Sequence, residues 1–417
     1  MSRKYFLLNQ SVRQALISIW LISAACFILY KGAIPAWQDK SSDFSNYYTS
    51  AALLKNGESL AKFYDTIWFD KKAKEVGVKE GAKFSPFPPA TAFLYLPLTV
   101  MPPLVAKRFW MICNLLLLFI LIYQIKKLGS STFLESAFLF SLFMTPIASN
   151  IRLGQSYLLF TLFLTTFLLG IRNKKQLLSG SLLGIASSLK YFPIVYLFYA
   201  IKLKRKLILG LLVGVTLTLS APIFIDGLDP YYAFLKEFWN HLNGNLSMQG
   251  QFSFSFQSVD ALLANLFIFD AELNKTPTIA FPLLKSIIKM LFVAVIVSLS
   301  LWVFKKKVQT PEELTIAIIV IGAFLIVPAS ATYHLLLILP ALYLAINLLK
   351  KEGNFKKEII TILLLIFLTC NLLPHHIPYL PDFPTLNTII HFPRLYGLIA
   401  LFAFLIILQK RLSQNHG

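Results

Sequence analysis

The chain is divided into repeated apolar runs, many of them near the roughly 20 residues that a helix needs to cross a bilayer. In hydrocarbon the backbone groups have only one another to bond with, so runs of this kind become helices. They fall at residues 11–31, 104–125, 133–150, 156–171, a broken pair at 177–190 and 192–203, then 207–225, 283–304, 312–328, 334–349, 358–373 and 394–410. The reading is an all-α polytopic transmembrane helical bundle of about ten to twelve spans. Composition agrees, because 57% hydrophobic and 14% charged residues, with a mean hydropathy of +0.67, exclude a water-soluble globule. Residues 1–417 form a single integral membrane domain, with no soluble domain and no repeat of fixed period.

The net charge of +20 does not point to nucleic acid, because the basic residues sit in short clusters between apolar runs and not on one soluble face. Arg3 and Lys4, Lys126 and Lys127, Arg172 to Lys175, Lys202 to Lys206, Lys305 to Lys307, Lys350 to Lys357, and Lys410 and Arg411 can all stand on one side. The positive-inside rule makes that side the cytoplasm, with both termini cytoplasmic and the protein multi-pass in the cell membrane. No small-x-small cleavage site follows Tyr30 and Lys31, so the first run reads as a retained helix. Cys26, Cys113 and Cys370 all fall inside apolar runs and read as small hydrophobes, without disulfide or metal spacing.

Three outer segments follow from this topology. Residues 32–87 interleave Trp37, Phe63, Tyr64, Trp68 and Phe69 with lysines and acids, a pattern expected to form juxtamembrane helices in the interface. Residues 84–103 are apolar, short and bracketed by prolines, which suits a re-entrant or interfacial helix better than a crossing. Residues 226–282 form a second outer loop, expected to lie as a lid over the same outer cavity, and residues 374–393 a third.

Polar groups at membrane depth cost free energy unless they face a cavity or a partner. Asp43, in Ser41-Ser42-Asp43-Phe44-Ser45-Asn46-Tyr47-Tyr48, reads either as the N-cap of a helix running to Gly57 or as a catalytic base. Arg152 and Gln155 lie at an outer turn, Lys190 at the break of the broken pair, His334 after Tyr333 at an outer helix end, and Arg394 at the start of the last span. Arg152 and Arg394 also fit snorkelling to lipid phosphates, and His334 fits a packing role. Lys190 stands apart from every basic cytoplasmic cluster and has no comparable alternative.

In this order, Asp43 with Tyr48, Phe87-Pro88-Pro89-Ala90-Thr91, Gly154-Gln155, Leu183-Gly184 through Lys190 to Pro193, Gly244-Asn245-x-Ser247 and Tyr333-His334 resemble glycosyltransferase family 87. Leu246 stands in the third place of the Gly-Asn-x-Ser pattern, and Phe87 precedes Pro-Pro where tyrosine is usual. The resemblance implies a GT-C type enzyme that moves a hexose, mannose-like, from a polyprenyl-phosphate sugar donor to a lipid or glycan acceptor on the extracytoplasmic face. It implies Asp43 as the base, and Tyr48, Arg152, Gln155, Lys190, Asn245, Tyr333 and His334 as substrate-binding residues. A glycosyl phosphate already has a good leaving group, so one base and cations for the departing phosphate suffice, with inversion at the anomeric carbon. No cofactor and no metal are expected, since a lone Asp43 is poor coordination. A transporter or flippase of lipid-linked sugars would show the same helices, although paired halves with matching broken helices are missing from the sequence. A non-catalytic assembly protein is the third class.

Overall fold

The computed structural model describes residues 10–38, 43–84, 86–129, 131–200, 205–243, 250–305, 312–380 and 382–415. Among them the regular structure is helical and no strand forms; a single bridge joins Asp270 and Asn274. The bundle is built from α1 (Gln10–Ile28), α2 (Phe44–Lys55), α3 (Pro103–Leu128), α4 (Phe133–Ser141), α5 (Met144–Leu153), α6 (Tyr157–Arg172), α7 (Gln176–Leu189) and α8 (Arg205–Asp226). It continues through α9 (Asp229–Leu242), α10 (Val259–Phe267), α11 (Pro282–Lys305), α12 (Glu312–Ile326), α13 (Leu339–Glu352), α14 (Lys356–Asn371) and α15 (Pro393–Asn415).

Among the described residues six helices are long and apolar enough to cross a membrane, and α4 with α5 makes a seventh if this pair, bent by 71°, counts as one span. Beside them α6, α7, α12 and α14 are apolar helices of only 14 to 16 residues, about 21–24 Å of helix. Such helices depend on neighbours for cover. In α12, all but four residues are buried. The stretch at 91–100 is shorter still, a turn of α-helix at Thr91–Tyr95 followed by a 3-10 turn at Leu96–Val100, too short to cross.

Close helix approach needs small residues. The faces of α7 and α8 meet at Gly180 and Gly184 on one side and Gly210 and Gly214 on the other, where a Cβ would run into the backbone of the partner helix. This contact holds α7, and therefore Lys190 at its end, against the bundle.

The first outer segment is a packed unit. All of α2 except Lys55 is buried, within an aromatic cluster that includes Phe63, Phe69 and Phe84, with ring centroids 5.5–6.0 Å apart. Its polar residues find loop partners: Ser45 donates to Glu80 at 3.0 Å, and Asn46 accepts from the Lys83 amide at 2.8 Å. These bonds explain why α2 buries polar positions that an interfacial helix would leave wet. Helix α9 carries an exposed apolar stripe. Leu228, Tyr232, Leu235, Trp239 and Leu242 recur along one exposed face, suited to the headgroup boundary, while His241 turns inward and is buried.

Among the described residues, basic residues of several clusters lie at the end of the bundle away from Asp43. There Arg13 and Lys350 both approach Glu135 (3.6 and 3.8 Å), Arg172 donates to the Leu128 carbonyl at 2.8 Å, and Arg411 approaches Glu358 at 3.6 Å.

Candidate active site

Asp43 sits at the N-cap position of α2, yet its side chain caps nothing. Its backbone is already helical, φ −65° and ψ −12°, whereas a capping residue holds an extended conformation that turns its side chain back to the first N–H groups. The carboxylate instead accepts at Oδ2 from Gln155 Nε2 at 2.6 Å and from the Tyr333 hydroxyl at 3.2 Å. Both bonds fall on one oxygen, and among the described residues none is formed by Oδ1.

Gln155 reaches Asp43 because α5 ends abruptly. Gly154 takes a left-handed conformation, φ +66°, at the C-terminus of that helix, the position where glycine costs least. A Cβ here would also lie 2.6 Å from the Phe44 Cβ. The turn is then fixed by buried amides. The Gln155 N–H donates to the Asn150 carbonyl at 2.9 Å, the Asn150 side chain accepts from the Tyr157 amide at 3.0 Å and donates to Asn114 at 2.9 Å, and the Trp110 indole donates to the carbonyls of Gly154 and Gln155 at 3.1 and 3.3 Å. The Gln155 side-chain oxygen accepts from Tyr47 at 2.5 Å. Burial pushes the Tyr47 hydroxyl well above the usual phenol range, so it keeps its proton and donates.

Lys190 follows the last residue of α7, and its extended backbone ends the helix. The Thr91 hydroxyl donates to the Leu189 carbonyl at 2.9 Å, satisfying an acceptor left open at a helix end. That bond joins the proline-rich stretch to the lysine it frames. Lys190 Nζ lies 4.1 Å from the centre of the Phe87 ring and 5.3 Å from that of Tyr157. Aromatic faces attract an ammonium without neutralising it.

These groups line one cavity of about 360 Å³, with Asp43, Gln155, Lys190, Tyr333 and His334 on its wall. The structure adds Asn46, Lys83, Tyr157, Tyr191 and His241. Burial pulls the Lys83 ammonium below the ordinary lysine range, and it pulls His241 down to about 4, so that this imidazole is neutral at neutral pH. His334 accepts from the Ala331 amide at Nδ1, 3.2 Å, which assigns the proton of its neutral ring to Nε2. The rings of Tyr157, Tyr333 and His334 pack at 4.8–5.1 Å. One carboxylate thus faces two lysines across aromatic walls, a site that favours an anionic ligand with apolar faces.

Other expected residues stand elsewhere. The Tyr48 hydroxyl donates to the Met101 carbonyl at 2.8 Å, away from the cavity wall. Arg152 is exposed and does not line the cavity. Asn245 lies outside the described residues. Arg394 is buried behind the wall, where Nη1 donates to the Ser330 carbonyl at 3.4 Å and its backbone N–H donates to Gln257 at 3.2 Å. Ser258 donates to the Pro328 carbonyl at 2.5 Å, so Arg394, Gln257 and Ser258 together fix the loop that delivers Tyr333 and His334.

Sequence reasoning passed over Tyr47, Lys83, Tyr157 and Tyr191, and read His241 only as part of a lid. A usable signal existed for Tyr47, which follows Asp43 by four residues and so shares its helix face. Lys83 and His241 carry no local pattern, since tertiary packing alone brings them in.

A comparison with curated proteins gives no match. The family model of glycosyltransferase family 87 matches residues 86–330, a range that holds Phe87, Thr91, Gln155, Lys190 and His241. Tyr333 and His334 lie just past its end and Asp43 well before its start, and all three join its residues through the contacts described above. The match covers more than half of the chain, which therefore belongs to glycosyltransferase family 87 and is a membrane glycosyltransferase.

Proposed function

We propose that this glycosyltransferase moves a hexose, mannose-like, from a polyprenyl-phosphate donor to a lipid or glycan acceptor, with inversion and with Asp43 as the general base. The observation that carries the reading is the state of Asp43. Its carboxylate is released from helix capping and held on one oxygen by two neutral donors, 2.6 and 3.2 Å away. Oδ1 is left to take a proton from an acceptor hydroxyl. As that proton moves to Oδ1, the acceptor oxygen bonds to the anomeric carbon and the bond from carbon to phosphate oxygen breaks. The polyprenyl phosphate leaves with the electron pair. Lys190 meets its growing charge in a cavity where such contacts act more strongly than in water. The rings of Phe87, Tyr157 and Tyr333 offer faces for the sugar's C–H groups.

The gathering of basic clusters at the far end supports an extracytoplasmic site in a GT-C type bundle. Single cysteines at positions 351 and 376, in a protein lacking Cys26, Cys113 and Cys370, test this orientation. An impermeant thiol reagent added to intact cells should label 376 and spare 351; the reverse pattern turns the site to the cytoplasm. For the reaction itself, purified protein is incubated with labelled polyprenyl-phosphate hexose and acceptor lipids. Transfer without translocation is expected, and translocation without transfer would sink the reading.

A further inference from the structure

Gln155 and Tyr47 form a chain behind Asp43 whose direction is fixed by chemistry. A carboxylate only accepts hydrogen bonds, so the 2.6 Å contact at Asp43 Oδ2 turns the amide nitrogen of Gln155 toward it. The amide oxygen is thereby turned to Tyr47, 2.5 Å away, and only a donor can satisfy it. Gln155 is 2% exposed and Tyr47 1%, so solvent does not take either role. The Tyr47 ring cannot swing aside. It stacks on Tyr95 with centroids 4.6 Å apart and planes 7° from parallel, and Phe87 packs on it at 4.9 Å. Gln155 lines the cavity and Tyr47 does not.

Resting on the assignment of Asp43 as base, we propose that Tyr47 is a positioning residue that acts on transfer only through Gln155, as the first donor of a one-way relay from Tyr47 to Gln155 to Asp43. The relay moves no proton. It loads Oδ2 and reserves Oδ1 for the acceptor's proton, and it survives the reaction, because a carboxyl group protonated on Oδ1 still accepts at Oδ2. Without the Tyr47 hydroxyl the Gln155 amide oxygen loses its buried donor and the amide is held at one end only, so the carboxylate it holds is placed less tightly.

A double-mutant cycle tests this. Tyr47→Phe keeps the stacked ring and deletes only the hydroxyl. It is expected to lower kcat about tenfold to a hundredfold, the cost of misplacing a reacting group by about an ångström, with donor KM unchanged. Gln155→Ala should lose at least as much, and the double variant should lose no more than Gln155→Ala alone. Losses that multiply, or a folded Tyr47→Phe protein with unchanged kcat, overturn the relay. Should Tyr47→Phe fail to fold, Gln155→Glu serves in its place: it keeps an acceptor for Tyr47 but faces Asp43 with oxygen. Its kcat is expected to fall by roughly a hundredfold or more, and wild-type kcat overturns the proposal. Asp43→Asn is assayed beside the cycle. Full transfer by that variant refutes the base assignment and the relay with it, whereas a dead Asp43→Asn enzyme with a multiplicative cycle refutes the relay alone.

Discussion

Two acids stand at the first turns of helices, Asp43 before α2 and Asp260 inside α10, and their surroundings differ in kind. Asp260 is 4% exposed and lies 2.7 Å from Lys289 and 3.5 Å from Lys285. Its helix is capped by another residue, Ser258, which accepts from the Ala261 amide at 3.1 Å. Among the described residues Asp43 has neutral donors only, and the cations of its cavity stand across the space and not on the carboxylate. An ion pair fixes a carboxylate by cancelling its charge, and what remains is a structural link. Neutral donors fix it while leaving the charge and one oxygen for use. What separates the two acids is the charge, cancelled at Asp260 by its lysines and kept at Asp43.

The strongest way to break the comparison is Asp43→Asn. Asparagine keeps the shape and the hydrogen-bonding oxygen but takes no proton near neutral pH, so transfer should fall by about a thousandfold, within the range a general base supplies. Folding and membrane insertion should be normal, because Asp43 caps nothing and the variant retains acceptors for Gln155 and Tyr333. Chromatography in detergent checks the fold and labelled-sugar transfer checks the activity; a well-folded variant that transfers at more than a few per cent of wild type removes Asp43 from the chemistry.

Lys190→Met sharpens the same contrast from the cationic side. Methionine keeps an unbranched stem against Phe87 and Tyr157 and deletes the charge. Among the described residues Lys190 has no salt bridge to lose, so the fold should survive. The efficiency kcat/KM for the donor should fall by about 3 kcal/mol, near a hundredfold, the scale of a charge-assisted contact to a transferring phosphate. Unchanged donor kinetics would make Lys190 a packing residue. Asp260→Asn should do the opposite. Lys285 and Lys289 are left facing each other, and because both are partly exposed the cost is about 2 kcal/mol, less than the roughly 3–5 kcal/mol of a fully buried pair. A thermal melt in detergent reads that loss, while transfer per folded molecule should stay within about twofold; a much larger fall in transfer would place Asp260 in the site.

How far the sequence led can be judged from these same residues. The all-α bundle was legible because spans of about 20 apolar residues admit no other structure. Short helices such as α6 and α12 were legible as apolar runs, although hydropathy does not report whether their cover is lipid or protein. Gln155, Lys190 and His334 drew attention because a polar group in an apolar chain needs a reason to be there, Asp43 and Tyr333 through the resemblance, and the five line one cavity. Tyr48, named from the sequence, donates to the Met101 carbonyl, whereas Tyr47 donates to Asp43's partner Gln155; one residue on a helix is about 100°. Arg152 and Arg394 drew attention by the same logic as Lys190, but one reaches the surface and the other braces a loop. Lys83 and His241 could not be found, because their partners lie far away in the chain.

The smallest effect expected concerns the turn that joins the two halves of the site. Gly154→Ala meets two obstacles, a left-handed φ of +66° and a Cβ 2.6 Å from that of Phe44. The first costs about 1 kcal/mol and is felt as stability. The second acts on geometry, because Phe44 adjoins Asp43 and Gly154 adjoins Gln155, so relieving the clash draws the two partners of the 2.6 Å bond apart. Gly154→Asn separates the contributions, since asparagine tolerates the left-handed region better than alanine yet carries the same Cβ. If the clash governs the site, both variants should lose transfer alike, by about tenfold, while Gly154→Asn melts higher than Gly154→Ala. Transfer that recovers with the melting temperature in Gly154→Asn would mean that the turn serves stability only, and that the spacing of Asp43 and Gln155 tolerates movement of their neighbours.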